Sequence, residues 1–312
     1  MIWTHLLECI SFALMSETLL RNMTKHEHFF EWTYAENLRA RVRIAEVGED
    51  TAEQPMLFIH GYGAMIEHWE YNLPAFASER KVYAMDLLGF GDSDKPDAPY
   101  GLELWATQIR AFLDLKRIEK VVLVGHSMGG ASSLTFAEKH PDRLSSLVLI
   151  DASGIFPKDI NPLEQMMYRA VGSPFIGETL FKLFANEFGA RQSLIPTYFN
   201  LEQVTDDLVA AFAKPLRSPG AIHAYLAPSR YPDRFMLDNF PRPSRYNGKV
   251  LLIWGEFDQA FPPKQTLPKF QEILPQAELV VIPNTKHCPH HEQADAVNAA
   301  IEQFLRRADT RD

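Results

Sequence analysis

Val121-Val122-Leu123-Val124-Gly125-His126-Ser127-Met128-Gly129-Gly130 decides the fold. Four β-forming apolar residues lead directly into Gly-His-Ser-Met-Gly. A helical pattern follows at once, with Ala131, Leu134, Thr135 and Ala137. A strand that turns this sharply into a helix forces its central residue into a strained backbone conformation. Flanking glycines let such a turn pass close to its neighbours. The Ser127 hydroxyl is thereby lifted above a sheet edge, at the positive end of a helix. A lone G-x-S-x-G arises easily by chance, but the strand–turn–helix context makes this one specific. By contrast, Gly89-Phe90-Gly91-Asp92-Ser93 lacks the pattern and reads as a loop.

Working outward, short apolar runs occur at residues 55–59, 81–85, 120–124, 145–150, 249–254 and 278–282. Runs this apolar are expected of strands buried on both faces of a parallel sheet. Residues 28–34 and 38–47 alternate apolar and polar, so they read as an opening antiparallel pair. Helical periodicity lies between the runs, as at Trp105, Ile109, Phe112 and Leu113, or Val297, Ile301, Phe304 and Leu305. Strand–helix alternation gives an α/β fold with right-handed crossovers. Residues 155–245 break the pattern. They contain no convincing buried strand and are rich in Phe, Tyr, Met and Pro. They read as a helical lid inserted between strands 6 and 7, with the core at 29–154 and 246–312. Met166, Phe181, Phe184 and Phe188 are expected among the side chains lining an apolar pocket beneath it.

The chain has 312 residues, 46% apolar and 23% charged, in the range of one large globular unit. Its formal charge is −9, and an acidic surface repels phosphate backbones, so nucleic acid is not an expected partner. Two cysteines, Cys9 and Cys288, form no framework of bridges and fit a reducing compartment. No run of about 18 apolar residues predicts a membrane-spanning helix, and the expected location is cytoplasmic. Residues 1–28 read as an arm with one apolar helical face (Ile2, Leu6, Cys9, Ile10, Ala13). Packing on the core is the reading favoured over contact with a membrane surface, because the basic residues expected of a surface helix come late.

A serine hydroxyl becomes an effective nucleophile when a neighbouring imidazole removes its proton. The base belongs on a loop after a late strand, and His287 is the first histidine after the 278–282 run. His290 and His291 adjoin the last helix and read as solvent-facing or capping residues. Asp258 follows the 249–254 run and is the expected acid. Asp151, after the 145–150 run, competes, and Glu256 is weaker. The backbone amides of Tyr62 and Met128 are the expected oxyanion donors, because His60-Gly61-Tyr62-Gly63 follows a strand directly and Met128 follows the nucleophile. His60 reads as a structural residue of that loop.

The blocks HGYGA, YAMDLLGFGDSDKP, GHSMGG, LVLIDASG, LLIWGEFD and KHCPH together resemble the α/β-hydrolase fold superfamily, from about Phe29 to Leu305. HGYGAMIEHWEYNLP and DLLGFGDSDKP are similar to the pheophytinase and chlorophyll-dephytylase branch, and also to bacterial esterases and carbon–carbon-bond hydrolases. The resemblance implies acyl hydrolysis by a serine nucleophile with no cofactor. Dehalogenase and epoxide-hydrolase branches carry Asp where this chain has Ser127. The expected function is hydrolysis of carboxylic esters with a hydrophobic portion, the substrate being a small molecule. Alternatives are carbon–carbon hydrolysis of vinylogous diketo acids, which wants a cation such as Arg191, Arg217 or Arg230 in the pocket, perhydrolysis, and a non-enzymatic receptor role.

Overall fold

The computed structural model describes residues 27–36, 38–155, 166, 170–237 and 240–309. Eight strands form one sheet: β1 (Glu27–Ala35), β2 (Leu38–Val47), β3 (Met56–Ile59), β4 (Val82–Met85), β5 (Val121–His126), β6 (Leu144–Ile150), β7 (Lys249–Gly255) and β8 (Glu278–Ile282). Their order is β1-β2-β4-β3-β5-β6-β7-β8. β1 and β2 pair antiparallel, as does β2 with β4, and every later pairing is parallel.

The longer helices are α1 (Leu102–Lys116), α2 (Met128–Lys139), α3 (Pro174–Phe184), α4 (Glu187–Leu194), α5 (Asp206–Leu216), α6 (Ala221–Arg230), α7 (Pro263–Ile273) and α8 (Ala294–Asp309). Successive strand residues point to opposite faces, and that period divides the core in two. Leu57 and Ile59 of β3, Leu123 of β5 and Leu252 and Trp254 of β7 pack with α1, α2 and α7. Met56 and Phe58, Val122 and Val124, and Leu251 and Ile253 face the other way, onto Val297, Ile301 and Phe304 of α8. Both faces are therefore dry, which is why these runs are uninterruptedly apolar. The 278–282 run is the exception. β8 closes the sheet, and its Leu279 and Val281 are exposed. An edge strand covered on one face does not need the two-sided burial its composition suggests.

Helices α3 to α6 form the segment between β6 and β7, each of the first three started by a side-chain cap. Ser173 accepts from the Ile176 amide ahead of Pro174, Asn186 from Gly189, and Thr205 from Leu208. α4 and α5 pack together through Ala190, Leu194, Leu208, Val209 and Phe212. Residues 1–26 of the expected N-terminal arm lie outside the described residues, while Glu27 and His28, expected in the arm, open β1.

The strand β4 and its following loop are clamped by a buried cation. Arg43 pairs with Glu27 at 2.5 Å, Glu67 at 2.6 Å and Asp86 at 3.2 Å. Asp86 also accepts from the Ile66 and Asp92 amides. Among the described residues, no helix is long and apolar enough to cross a membrane.

Candidate active site

Ser127 stands at the end of β5 with φ 52° and ψ −118°, a left-handed conformation that costs a non-glycine residue about 1–3 kcal/mol. It is held there from both sides. The Ser127 amide donates to the Ile150 carbonyl, and the Ser127 carbonyl accepts from Ala131 and Ser153. Close packing makes Gly129 obligatory: a Cβ there would come within 2.3 Å of the Ile59 carbonyl oxygen and 2.4 Å of that of His60. The turn thus lies directly against the end of β3. The loop after β3 is equally close, since a Cβ on Gly61 would lie 3.0 Å from Ser127 Cβ.

His287 Nε2 lies 2.9 Å from Ser127 Oγ, and His287 Nδ1 lies 2.9 Å from Asp258 Oδ2. An ionised carboxylate only accepts. The proton therefore sits on Nδ1 and donates to Asp258, leaving Nε2 to accept from the serine hydroxyl. Asp258 is fixed by the Ala260 and Phe261 amides, both donating to Oδ1. Burial works to raise the Asp258 pKa, but the hydrogen bond and charge of His287 outweigh it and hold the carboxyl below the usual range.

Asp151 has a ligand-type oxygen within 4.8 Å of both Asp258 and His287, yet the imidazole bonds to Asp258. Burial, with Asp258 beside it, pushes the Asp151 carboxyl well above its ordinary pKa. That shift favours its protonated form, while its Oδ1 accepts from the Gly255 amide. Glu256 instead caps the Asn284 amide.

His60 is a loop anchor. Its Nδ1–H donates to the Gly61 carbonyl at 2.7 Å, and its Nε2 accepts from the Leu87 amide at 2.9 Å. Burial lowers its pKa to about 4, so it stays neutral. Tyr62 and Met128 both border the cavity that reaches Ser127. Met128 opens α2, where the first amides have no intrahelical partner. The Tyr62 hydroxyl donates to the Tyr225 carbonyl at 2.6 Å, fastening this loop to α6.

That cavity measures about 880 Å³. Its apolar wall includes Phe181, Phe184, Leu194, Phe212, Phe235 and Met236. No Asp, Glu, Lys or Arg lines it among the described residues. Phe181 and Phe184 are where the sequence reading expected them. Phe188 and Met166 are not: they are 62% and 61% exposed and do not border the cavity. Phe188 stacks on the outside of Phe184, one turn beyond the helix break at Ala185. Arg191, Arg217 and Arg230 also stand outside the wall, paired with Asp206, Glu187 and Glu178.

His290 and His291 are buried, contrary to the expectation of a solvent-facing pair. A short helical turn, Pro289–Glu292, carries them inward against His68 and Trp69. Two supporting residues went unread. His126 donates from Nε2 to the His287 carbonyl at 2.7 Å. Glu292 accepts from the Lys286, Phe199 and Asn200 amides, so it ties the His287 loop to the inserted helices. The His287 amide itself donates to the Thr197 carbonyl. Cys288 is buried, and burial pushes its thiol well up in pKa, away from reactivity.

The chain matches the alpha/beta hydrolase fold family over residues 54–294 and belongs to it. It is 30% identical to the 2-hydroxy-6-oxononadienedioate/2-hydroxy-6-oxononatrienedioate hydrolase of Comamonas testosteroni, over 85% of this chain and 91% of that one. It is 29% identical to the dihydrolipoyllysine-residue acetyltransferase component of the acetoin cleaving system of Pseudomonas putida, over 81% of this chain and 64% of that protein's length. A solved structure of a thermophilic esterase from Thermogutta terrifontis superposes with a TM-score of 0.72 at 25% identity, covering 90% of this chain and 99% of that one.

Proposed function

We propose that this hydrolase cleaves carboxylic esters with a large apolar portion, through an acyl-enzyme on Ser127. The observation that carries the reading is the Ser127–His287–Asp258 chain opening into a cavity of about 880 Å³ that, among the described residues, no Asp, Glu, Lys or Arg lines. Ser127 Oγ attacks the carbonyl carbon as its proton passes to His287 Nε2. Asp258 holds the imidazole tautomer and stabilises the imidazolium. The amides of Tyr62 and Met128 take the developing oxyanion. Collapse expels the alcohol, which takes the proton from His287. Water then repeats both steps on the acyl-serine, releasing the acid.

The carbon–carbon hydrolase relatives make a second substrate class worth weighing. A vinylogous diketo acid carries a carboxylate, and burying it without a cation is expensive. The three arginines nearest that role are paired outside the wall. The apolar ester is therefore favoured.

The test is turnover of p-nitrophenyl esters from acetyl to palmitoyl. Medium or long acyl chains should be preferred, and Ser127→Ala should remove turnover. Activity surviving in that variant, or turnover confined to vinylogous diketo acids, would overturn the reading.

A further inference from the structure

Beside the site, three buried histidines converge from three separate parts of the chain. His68 comes from the short helix after β3, His126 from the end of β5, and His290 from the turn after the base. One ring nitrogen from each lies within 4.8 Å of the others. We propose that His68, His126 and His290 form a site for a divalent transition ion of the zinc type, whose occupancy inhibits the enzyme.

The closest pair already has the spacing. His68 Nδ1 and His290 Nε2 are 3.3 Å apart. A tetrahedral zinc with bonds of about 2.0–2.1 Å sets its nitrogens roughly that far from one another. Metal-binding imidazoles are normally oriented by a hydrogen bond at the second nitrogen. His68 Nε2 has one to the Tyr198 hydroxyl at 3.0 Å, and His126 Nε2 has one to the His287 carbonyl. With Nε2–H donating to that carbonyl, His126 Nδ1 is left with its lone pair. Among the described residues it is buried and without a hydrogen-bond partner. A buried ring nitrogen of this kind calls for a partner, whereas His290 Nε2 and His68 Nδ1 are hydrogen-bonded to each other and would exchange that bond for the ion.

Entry and charge are also provided for. His68 and His126 border the apolar cavity, which gives an ion a path and a fourth position for water. A buried carboxylate stands close by: Glu70 is 3.5 Å from His291, and among the described residues its Oε2 has no hydrogen-bond partner. His291 in turn packs 5.2 Å from the His68 ring. Inhibition follows from position and rests on the proposed mechanism. The His126 ring centroid is 4.9 Å from that of His287. A divalent charge on His126 opposes the imidazolium that must form when His287 takes the serine proton.

The test uses the chelator-stripped full chain with Co²⁺ and Zn²⁺ alone as probes. One Co²⁺ per chain should bind and give the visible bands of low-coordinate cobalt, displaced by Zn²⁺. His290→Leu and His68→Phe should each abolish the bands, and Asp258→Asn should keep them. X-ray absorption of the zinc-loaded wild-type protein should count three imidazole nitrogens, which decides the matter even if a variant fails to fold. Ester turnover should fall at least tenfold on loading and return with EDTA. Absence of stoichiometric binding overturns the site. So does an ion lost with Asp258→Asn but kept in His290→Leu, since it sits on the Asp151–Asp258–His287 group instead. Binding without inhibition overturns the inhibitory role alone, and spectra are read independently of turnover.

Discussion

Asp151 and Asp258 lie side by side in the buried interior of the site, and their environments push their pKa values in opposite directions. The imidazole and two backbone amides hold the Asp258 carboxyl low, whereas burial beside Asp258 pushes that of Asp151 well up. Asp258→Asn should therefore favour the wrong imidazole tautomer and lower kcat by about 10⁴. Asp151→Asn leaves the partner of the imidazole in place and should cost far less. Steady-state kinetics of the two variants on one ester decide this, and the reverse ranking would move the acid to Asp151. At this scale Ser127, Asp258 and His287 were legible because each stands just past an apolar run, at the end where a parallel sheet gathers its loops. The supports were not. His126 and Glu292 act through backbone groups of the His287 loop and of residues 199–200, and no local pattern encodes a partner that distant.

At the scale of elements, the nucleophile turn and the inserted helices make separate predictions. Gly129 has backbone carbonyls where a side chain would begin. Gly129→Ala should push the turn away from β3 and cost more than about 2 kcal/mol in urea unfolding. Phe181 and Phe184 line the cavity while Phe188 stands outside it. Phe181→Ala and Phe184→Ala should lengthen the preferred acyl chain, and Phe188→Ala should leave the chain-length profile as it was. Periodicity showed an aromatic helical segment, but not which rings turn inward. The break at Ala185, between two short capped helices, resets the facing from Phe184 to Phe188. His290 and His291 were misread for a related reason: one extra helical turn after Cys288 rolls them under the loop before α8 begins.

Across the whole molecule, buried histidines set the response to acid. Burial lowers His60 to about 4 and His126 to about 3, and depresses His68 and His290 as well. Unfolded, each takes up a proton below its model value of 6.5. The unfolded chain therefore binds more protons between about pH 6.5 and 4, and stability falls as pH drops through that window, by about 1.4 kcal/mol per pH unit for each net proton. Asp86 works the other way. Burial raises it to about 7, so the folded state holds a proton there that the unfolded chain releases, and Asp151 adds to this. Glu292 is raised as well and His140 lowered, so five histidines outweigh three carboxyls and the thermal midpoint should decline from pH 6.5 to pH 4; a flat or rising midpoint would show that the rings are not held neutral. The mostly parallel sheet and its two dry faces were readable from the apolar runs, but the order of the strands was not. The size of the cavity was not, because it depends on how α3 to α6 settle over the strand ends.

Covalent capture of the acyl group tests the central claim most directly. The protein is mixed rapidly with excess p-nitrophenyl octanoate, quenched in acid, and digested for peptide mass analysis. The predicted result is a burst of p-nitrophenol near one per chain, with an octanoyl mass increment on Ser127 that is missing in Ser127→Ala. Steady turnover with the acyl group on another residue, or an identical increment in Ser127→Ala, would contradict it.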